Sequence, residues 1–405
     1  MSGSQSTGAQ VSRETTTNGA VLSTVRQTIF LVSLPFGILA FILPFYGKEV
    51  GADAVQIGLF FSAFSLMTVL LRPAVGVGLD RYGRRPFFVA GMIGYGLTML
   101  AFAFSAQVWA IVLARILQGT ASACLWLAAQ AITSDAAGSS DRARSFGSVE
   151  QSGMRGSVLG TFIGAGVLMS AGFVEGWRLL FVGYGMVGLV AALIAFRHLP
   201  ETNPRSGRIE PSPIVWSRPM ALLLLVTAVT GASAAMLAPI MMIFLQEQLS
   251  AELEMLALAY LPAALVLAFL PAKLGSLADR FGRKKLMVTG MMVATLSSFL
   301  IPNLRSLVAL AGLWAVQAIS YAAGDPAEQA LVADLTGGDQ RGRAYGLYAL
   351  AAGLGATVGP FIGGWLYEVV GPRGPFYANG AVLAVSTFVL WALLQVPDWG
   401  TATVV

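Results

Sequence analysis

The chain has 405 residues, of which 56% are hydrophobic and only 11% charged, and its mean hydropathy is +0.73. A water-soluble globule carries about a quarter charged residues, so the composition excludes one and points to a bilayer. The formal net charge of +5 is no argument for nucleic acid here, because basic residues of a membrane chain gather in the loops of one side.

Residues 1–20 are polar, rich in Ser, Thr, Gly and Asn, and lack the apolar core of a secretory leader, so a disordered tail is expected there. Apolar stretches of about 20 residues, enough to cross a bilayer, follow near 27–47, 54–78, 86–105, 107–132, 145–170 and 177–197. A second set lies near 218–245, 254–278, 286–303, 307–332, 343–368 and 376–396. The reading is an all-α membrane protein of twelve transmembrane helices in two six-helix bundles, residues 21–197 and 218–397. A flexible linker at 198–217 joins them and a tail at 398–405 closes the chain. With the first residues placed in the cytoplasm, 18 of the 25 Lys and Arg fall in inner segments, 4 in outer loops and 3 within spans. That asymmetry predicts both termini on the cytoplasmic side. Cys124 stands alone, which leaves no intrachain disulfide and no thiolate cluster for a metal. The only histidine, His198, opens the linker and is read as a solvated loop residue.

The two halves repeat each other. Gly76-Val-Gly-Leu-Asp-Arg-Tyr-Gly-Arg-Arg85 returns as Gly275-Ser-Leu-Ala-Asp-Arg-Phe-Gly-Arg-Lys284, displaced by 199 positions. The same offset pairs Gln118 with Gln317, Asp135 with Asp334, and Gly156, Gly160 and Gly164 with Gly355, Gly359 and Gly363. A single offset held across separate motifs marks an internal duplication. The motif G-x-x-x-D-R-x-G-R-[RK] in both halves resembles the major facilitator superfamily, whose fold has two six-helix halves related by a pseudo-two-fold axis. The first half, with Ile42-Leu-Pro-Phe-Tyr-Gly-Lys-Glu-Val-Gly-Ala52, Gln56-Ile-Gly and the hairpin, is most similar to the bacterial drug:proton antiporters. Gly355-Ala-Thr-Val-Gly-Pro-Phe-Ile-Gly-Gly364 resembles a pattern of the fifth helix of those antiporters, but stands in the eleventh span. The fifth has Thr161 in place of the proline.

In the hairpins, Gly76 and Gly83 are read as permitting close approach and a tight reversal, with Asp80 at a helix end and Arg81 and Arg84 among the cations. Gly275, Asp279, Arg280, Gly282 and Arg283 are the second set. The resemblance implies a cytoplasmic gate in which each hairpin Asp faces a helix N-terminus of the opposite half and the second Arg reaches the Asp ending the fourth or tenth helix. Carried over, the sets are Asp80–Arg84–Asp135 and Asp279–Arg283–Asp334.

Ionisable groups at bilayer depth are expensive and mark pathways. Arg72 lies close enough to a span end to snorkel. Arg115-Ile-Leu-Gln-Gly119 resembles the family's R-x-x-Q-G motif, which the resemblance ties to proton coupling, and Arg115 lies roughly 12 Å deep at about 1.5 Å per residue. Gln118 shares its face, and in the second half Gln317 is kept while Trp314 replaces the arginine. Glu150, Gln151 and Arg155 lie in the fifth span, Arg155 near the depth of Arg115, so an acid, water or anionic substrate is expected between the two cations. Either a transport path or a buried structural network accounts for them. Asp325-Pro-Ala-Glu328 reads either as a capping box opening a broken tenth helix or as a cation or proton site.

The expectation is a secondary transporter working by alternating access, with proton-coupled efflux of a drug-like or amphipathic compound preferred over transport of an organic anion or metabolite, and a receptor or lipid scramblase a remote third. No phosphate-cradling G-x-x-x-x-G-K-[ST] loop occurs, so no enzyme and no cofactor are expected, the energy coming from a proton gradient. The implied partners are a small-molecule substrate, protons and the lipid bilayer of a bacterial-type plasma membrane, with no nucleic acid, and the chain is expected to be a monomer.

Overall fold

A computed structural model describes residues 3–137, 142–202, 217–249, 253–270, 283–334 and 341–393. Within them the chain is almost wholly helical. In the first half the helices are α1 (Gly3–Val32), α2 (Leu34–Glu49), α3 (Ala54–Tyr82), α4 (Arg84–Ala103), α5 (Val108–Ala136), α6 (Arg142–Ala171) and α7 (Phe173–His198). The second half has α8 (Arg218–Leu249), α9 (Leu253–Phe269), α10 (Arg283–Leu300), α11 (Leu307–Asp334), α12 (Arg341–Val369) and α13 (Gly374–Leu393), with one 3₁₀ turn at Ile301–Asn303. Hydrocarbon offers the backbone no hydrogen bonds, so apolar runs of this length satisfy themselves as helices. Among the described residues, ten spans are long and apolar enough to cross a membrane, α1 and α2 together supplying the first, Asn18–Glu49. α9 and α11 contribute shorter apolar stretches, Leu258–Leu267 and Leu307–Ala322.

Three local details differ from the sequence reading. α1 reaches back to Gly3, through the polar segment expected to be disordered. The first span is interrupted at Ser33, because Pro35 has no N–H to give and fits only in the first turn of the resumed helix α2. α3 continues helical through Gly76 and Asp80 to Tyr82, so Gly76 is not part of a reversal, and a Cβ there would meet only Leu127 Cδ2, at 3.9 Å.

The chain divides into two compact units, Met1–Gly51 with Ala63–Ile209, and Ala52–Ser62 with Glu210–Val405. In the first, α6 lies against α1 and α2 through a glycine seam. A Cβ on Gly156 would come within 2.2 Å of the Phe30 carbonyl oxygen, and one on Gly160 within 1.8 Å of that of Leu34. Helices in lipid associate through such close approach, since no hydrophobic drive separates them from the lipid. The unit is also held by a buried aromatic cluster in which Tyr46 stacks on Trp177 at 3.7 Å, while Trp177 Nε1–H donates to the Phe102 carbonyl at 2.8 Å.

The second unit repeats the seam. Cβ atoms on Gly355, Gly359 and Gly363 of α12 would lie 2.4, 2.1 and 2.2 Å from the carbonyl oxygens of Ala228, Ala232 and Met236 of α8. Ser233 Oγ donates to Asn379 Oδ1 at 2.5 Å and Asn379 Nδ2 to Ser298 Oγ at 2.6 Å, a buried polar tie joining α8, α13 and α10. The first turn of α3 belongs to this unit too. There Asp53 and Gln56 form a reciprocal capping box, and the Ala54 N–H donates to Glu368 Oε1 at 3.0 Å.

Candidate functional site

The deepest charge among the described residues of the first unit is Arg115, in the third turn of α5 and only 5% exposed. Helical spacing puts Gln118 on the same face one turn on, and Arg115 Nη1 donates to Gln118 Oε1 at 2.7 Å. The guanidinium also lies over the ring of Phe64 from α3, 5.0 Å from its centroid. A desolvated cation–π contact is worth about 2 kcal/mol and a hydrogen bond to a charged group about 1.5–3 kcal/mol. Together these offset part of the several kcal/mol that burying a cation costs. Tyr95 of α4, fully enclosed, completes the surroundings, with Ser122 and Trp126 beside its hydroxyl and Phe36 tilted against its ring at 5.3 Å. Arg115 is thus a charge held dry by an aromatic and amide shell, where its hydrogen bond is stronger than it would be in water.

The expected companion charges are placed otherwise. Glu150, Gln151 and Arg155 are all exposed, on the faces of α6 turned away from its glycine seam. Among the described residues no hydrogen bond or ion pair joins Arg155 or Glu150 to Arg115. The cost of burial explains this: one guanidinium fits the Phe64–Gln118 shell, and a second nearby would repel it. In the second unit Gln317 is half-buried on α11, and Trp314, at the position matching Arg115, meets Tyr260 edge to face at 5.6 Å.

Glu328 is brought into a defined contact, accepting from Thr227 Oγ1 of α8 at 2.7 Å. α11 itself runs unbroken from Leu307 to Asp334, so Asp325 does not cap a new helix and the expected break at Gly324 is absent. The Asp325 side chain lies outside the described residues.

The basic hairpin of the first half is built around Gly83, whose φ of +98° supplies the reversal between α3 and α4. Arg84 Nε lies 2.5 Å from Asp135 Oδ2 at the end of α5, an ion pair aligned poorly for a hydrogen bond from Nε. Asp80, by contrast, is exposed on the last turn of α3, and Arg81 is exposed beside it with its guanidinium over the Tyr82 ring at 5.3 Å. The carboxylate at a helix N-terminus is that of Glu201, from the segment expected to be a flexible linker. It accepts from the backbone N–H of Arg84 at 2.8 Å and of Arg85 at 3.2 Å, capping α4. Any Cβ on Gly83 would come within 2.3 Å of Glu201 Oε2. Thr202 Oγ1 donates to the same Asp135 oxygen at 3.1 Å, and Arg85 donates to the Phe196 carbonyl. The first linker residues are therefore docked, with Leu199 buried beneath them. His198 is the last residue of α7, exposed as expected.

Sequence reasoning missed Glu201 and Thr202, although a carboxylate one residue after a proline at a helix end, Leu199-Pro-Glu-Thr202, was a signal for a cap. The second hairpin, Gly275, Asp279, Arg280 and Gly282, lies outside the described residues, as do the side chains of Arg283 and Asp334.

Over residues 28–272 and 223–401 the chain matches the family described as the Major Facilitator Superfamily. The chain belongs to that superfamily. This facilitator is 22% identical over 371 residues to Multidrug resistance protein 1 of Bacillus subtilis (strain 168), covering 90% of this chain and 94% of the relative. It is 26% identical over 384 residues to Quinolone resistance protein NorA of Staphylococcus aureus (strain MRSA252), covering 89% and 94%. In fold it is similar to the crystal structure of a bacterial homologue of the human lysosomal transporter Spinster, with a TM-score of 0.76 at 19% identity over 93% of this chain and 96% of that one. It is a multi-pass membrane transporter and not an enzyme.

Proposed function

We propose that this facilitator exports an amphipathic, drug-like compound in exchange for protons, with Arg115 as the group through which the two are coupled. The observation that carries the reading is the buried Arg115–Gln118 pair over Phe64. A cation held in a membrane span has to be offset by its surroundings, and such residues mark ion and substrate paths. The names of the two bacterial relatives, a multidrug and a quinolone resistance protein, support the choice of cargo. Glu328, bonded to Thr227, and the exposed Glu150 are the carboxylates proposed to exchange protons along the path. The Arg84–Asp135 pair with Glu201 is proposed to steady the cytoplasmic hairpin while the path is closed on that side.

The test is transport in proteoliposomes holding the purified full chain. An imposed pH gradient, with protons free to run down it, is expected to drive a lipophilic cationic dye against its own gradient, and Arg115→Gln to remove that drive while leaving dye exchange at equal pH. Gradient-driven movement of an organic anion with no effect on the cation would replace this reading by anion transport. Cation movement indifferent to pH would refute the coupling.

A further inference from the structure

At the end of the second unit away from its basic motif, where α10 finishes, three segments meet around a polar hollow of about 200 Å³. Gln248 of the last turn of α8, Pro302, Asn303, Leu304 and Arg305 after α10, and Arg373 before α13 line it. The backbone brings the two arginines there. Pro302, with no N–H to give, fits the start of the 3₁₀ turn and is buried, and Leu304 leaves that turn extended, its N–H bonded to the Ile301 carbonyl at 3.1 Å. Arg305 follows directly. On the other side Gly371, with a φ of +108°, reverses the chain after α12, and the Arg373 carbonyl accepts from the Tyr377 N–H of α13 at 3.2 Å.

The chemistry of the hollow is one-sided. Its lining holds two guanidiniums and no carboxylate. Among the described residues, neither guanidinium takes part in a hydrogen bond, an ion pair or a ring contact, and both arginines are exposed. Two acids near the lining in sequence are engaged elsewhere, Glu247 accepting from the Tyr367 hydroxyl and Glu368 from the Ala54 N–H at 3.0 Å. Asn303 is committed as well, its Nδ2 donating to the Phe299 carbonyl at 2.9 Å and its Oδ1 accepting from the Tyr377 hydroxyl at 3.3 Å. What remains for a ligand is two arginine forks and the Gln248 amide. By the sequence reading only 4 Lys and Arg lie in outer loops against 18 in inner segments, yet two of the 4 meet here, against the bias that empties this side of cations.

We infer that the hollow is an anion site that takes one phosphate group, from a phospholipid headgroup of the leaflet away from the basic loops or from a soluble phosphate. Two like charges lining one hollow repel unless an anion lies between them. Arginine presents paired N–H donors in a plane, and a tetrahedral phosphate offers oxygens to two such forks at once, whereas a carboxylate is filled by one. A phosphate held there ties the end of α10 to the start of α13.

The test is thermal unfolding of the purified full chain in an uncharged detergent, titrated with inorganic phosphate at constant ionic strength. A ligand that binds the native state alone raises the midpoint once its concentration passes the dissociation constant. Phosphate is expected to do so, and Arg305→Gln and Arg373→Gln are each expected to move the onset to at least about ten-fold higher concentration, the loss of a charge-assisted hydrogen bond. Without phosphate both variants should unfold with the wild type, since neither guanidinium is bonded among the described residues. Dihexanoyl phosphatidic acid separates the two sources. An onset at lower concentration than for inorganic phosphate, sensitive to the same substitutions, assigns the site to a lipid headgroup, and an onset no lower assigns it to a soluble phosphate. No rise with inorganic phosphate, a rise that survives both substitutions, or an equal rise with acetate overturns the proposal. So does a rise seen only in Glu252→Gln/Glu254→Gln, because the chain's own carboxylates would then fill the hollow, or a variant destabilised without phosphate, whose arginine would serve the chain itself.

Discussion

Positions 115 and 314 are equivalent by the internal repeat, yet one holds a buried arginine over Phe64 and the other a tryptophan against Tyr260. The helix pairs around them correspond, α3 with α5 in the first half and α9 with α11 in the second. Around this difference the first two steps of the scaffold are kept: a Cβ on Gly156 or Gly160 of α6, or on Gly355 or Gly359 of α12, would come within 2.4 Å of a carbonyl oxygen of the partner helix, while Gly164 faces the Ile38 side chain where Gly363 faces the Met236 carbonyl. Duplication has kept what holds the helices together and let the chemistry diverge. The first half holds its charge at this depth with a glutamine at i+3 and an aromatic face, whereas the second half has kept the glutamine and uses the position for aromatic packing.

The largest effect is expected from removing the asymmetry at its charged end. In Arg115→Gln, pH-driven transport should fall on the order of 100-fold, toward the upper range of coupling free energies between two sites, measured as initial dye flux in proteoliposomes. Next comes the shared scaffold. Gly160→Ala and Gly359→Ala each force a methyl into a carbonyl oxygen, at 1.8 and 2.1 Å, and overpacking of that kind costs about 1–3 kcal/mol. Thermal unfolding in detergent should show both variants destabilised by similar amounts. A loss confined to one of them would mean that the seams are not equivalent.

The hairpin sharpens the comparison at smaller scale. Glu201→Gln leaves the hydrogen-bonding shape but removes the charge facing the α4 N-terminus, where a carboxylate is worth about 0.3–1 kcal/mol. Hydrogen exchange of the Arg84 and Arg85 amides should accelerate up to about five-fold, while amides in the middle of α4 stay unchanged. Asp80→Asn, on the exposed last turn of α3, should leave those two amides as they are.

What the sequence disclosed and what it hid divide along physical lines. Span positions, the repeat and the Arg115–Gln118 pair were readable because each rests on spacing within one helix or on a fixed offset between motifs. The Arg84–Asp135 contact was readable only through the family resemblance. Phe64, Thr227 and Glu201 were not, since each meets its partner from a distant helix or linker and no local pattern announces it. For a related reason, Arg155 does not sit in the Arg115 shell. Its depth follows from counting residues, but its side of α6 is set by Gly156 and Gly160, which face α1 and α2 and so leave the arginine exposed on another face of the helix. The predicted break at Gly324 is absent because α11 stays helical from Leu307 to Asp334, and a membrane helix tolerates a proline where the freed backbone groups are satisfied again.

The smallest expected effect tests whether Trp314 is packing alone. Its edge-to-face contact with Tyr260 is worth about 0.5–1.5 kcal/mol beyond area burial, and a phenyl ring keeps most of that geometry. Trp314→Phe should therefore lower stability by less than about 1.5 kcal/mol and leave pH-driven flux within two-fold of wild type, roughly 0.4 kcal/mol. Should flux drop as far as in Arg115→Gln, the second half would be carrying part of the coupling through an aromatic residue. The division between a conserved frame and a single charged half would then have to be redrawn.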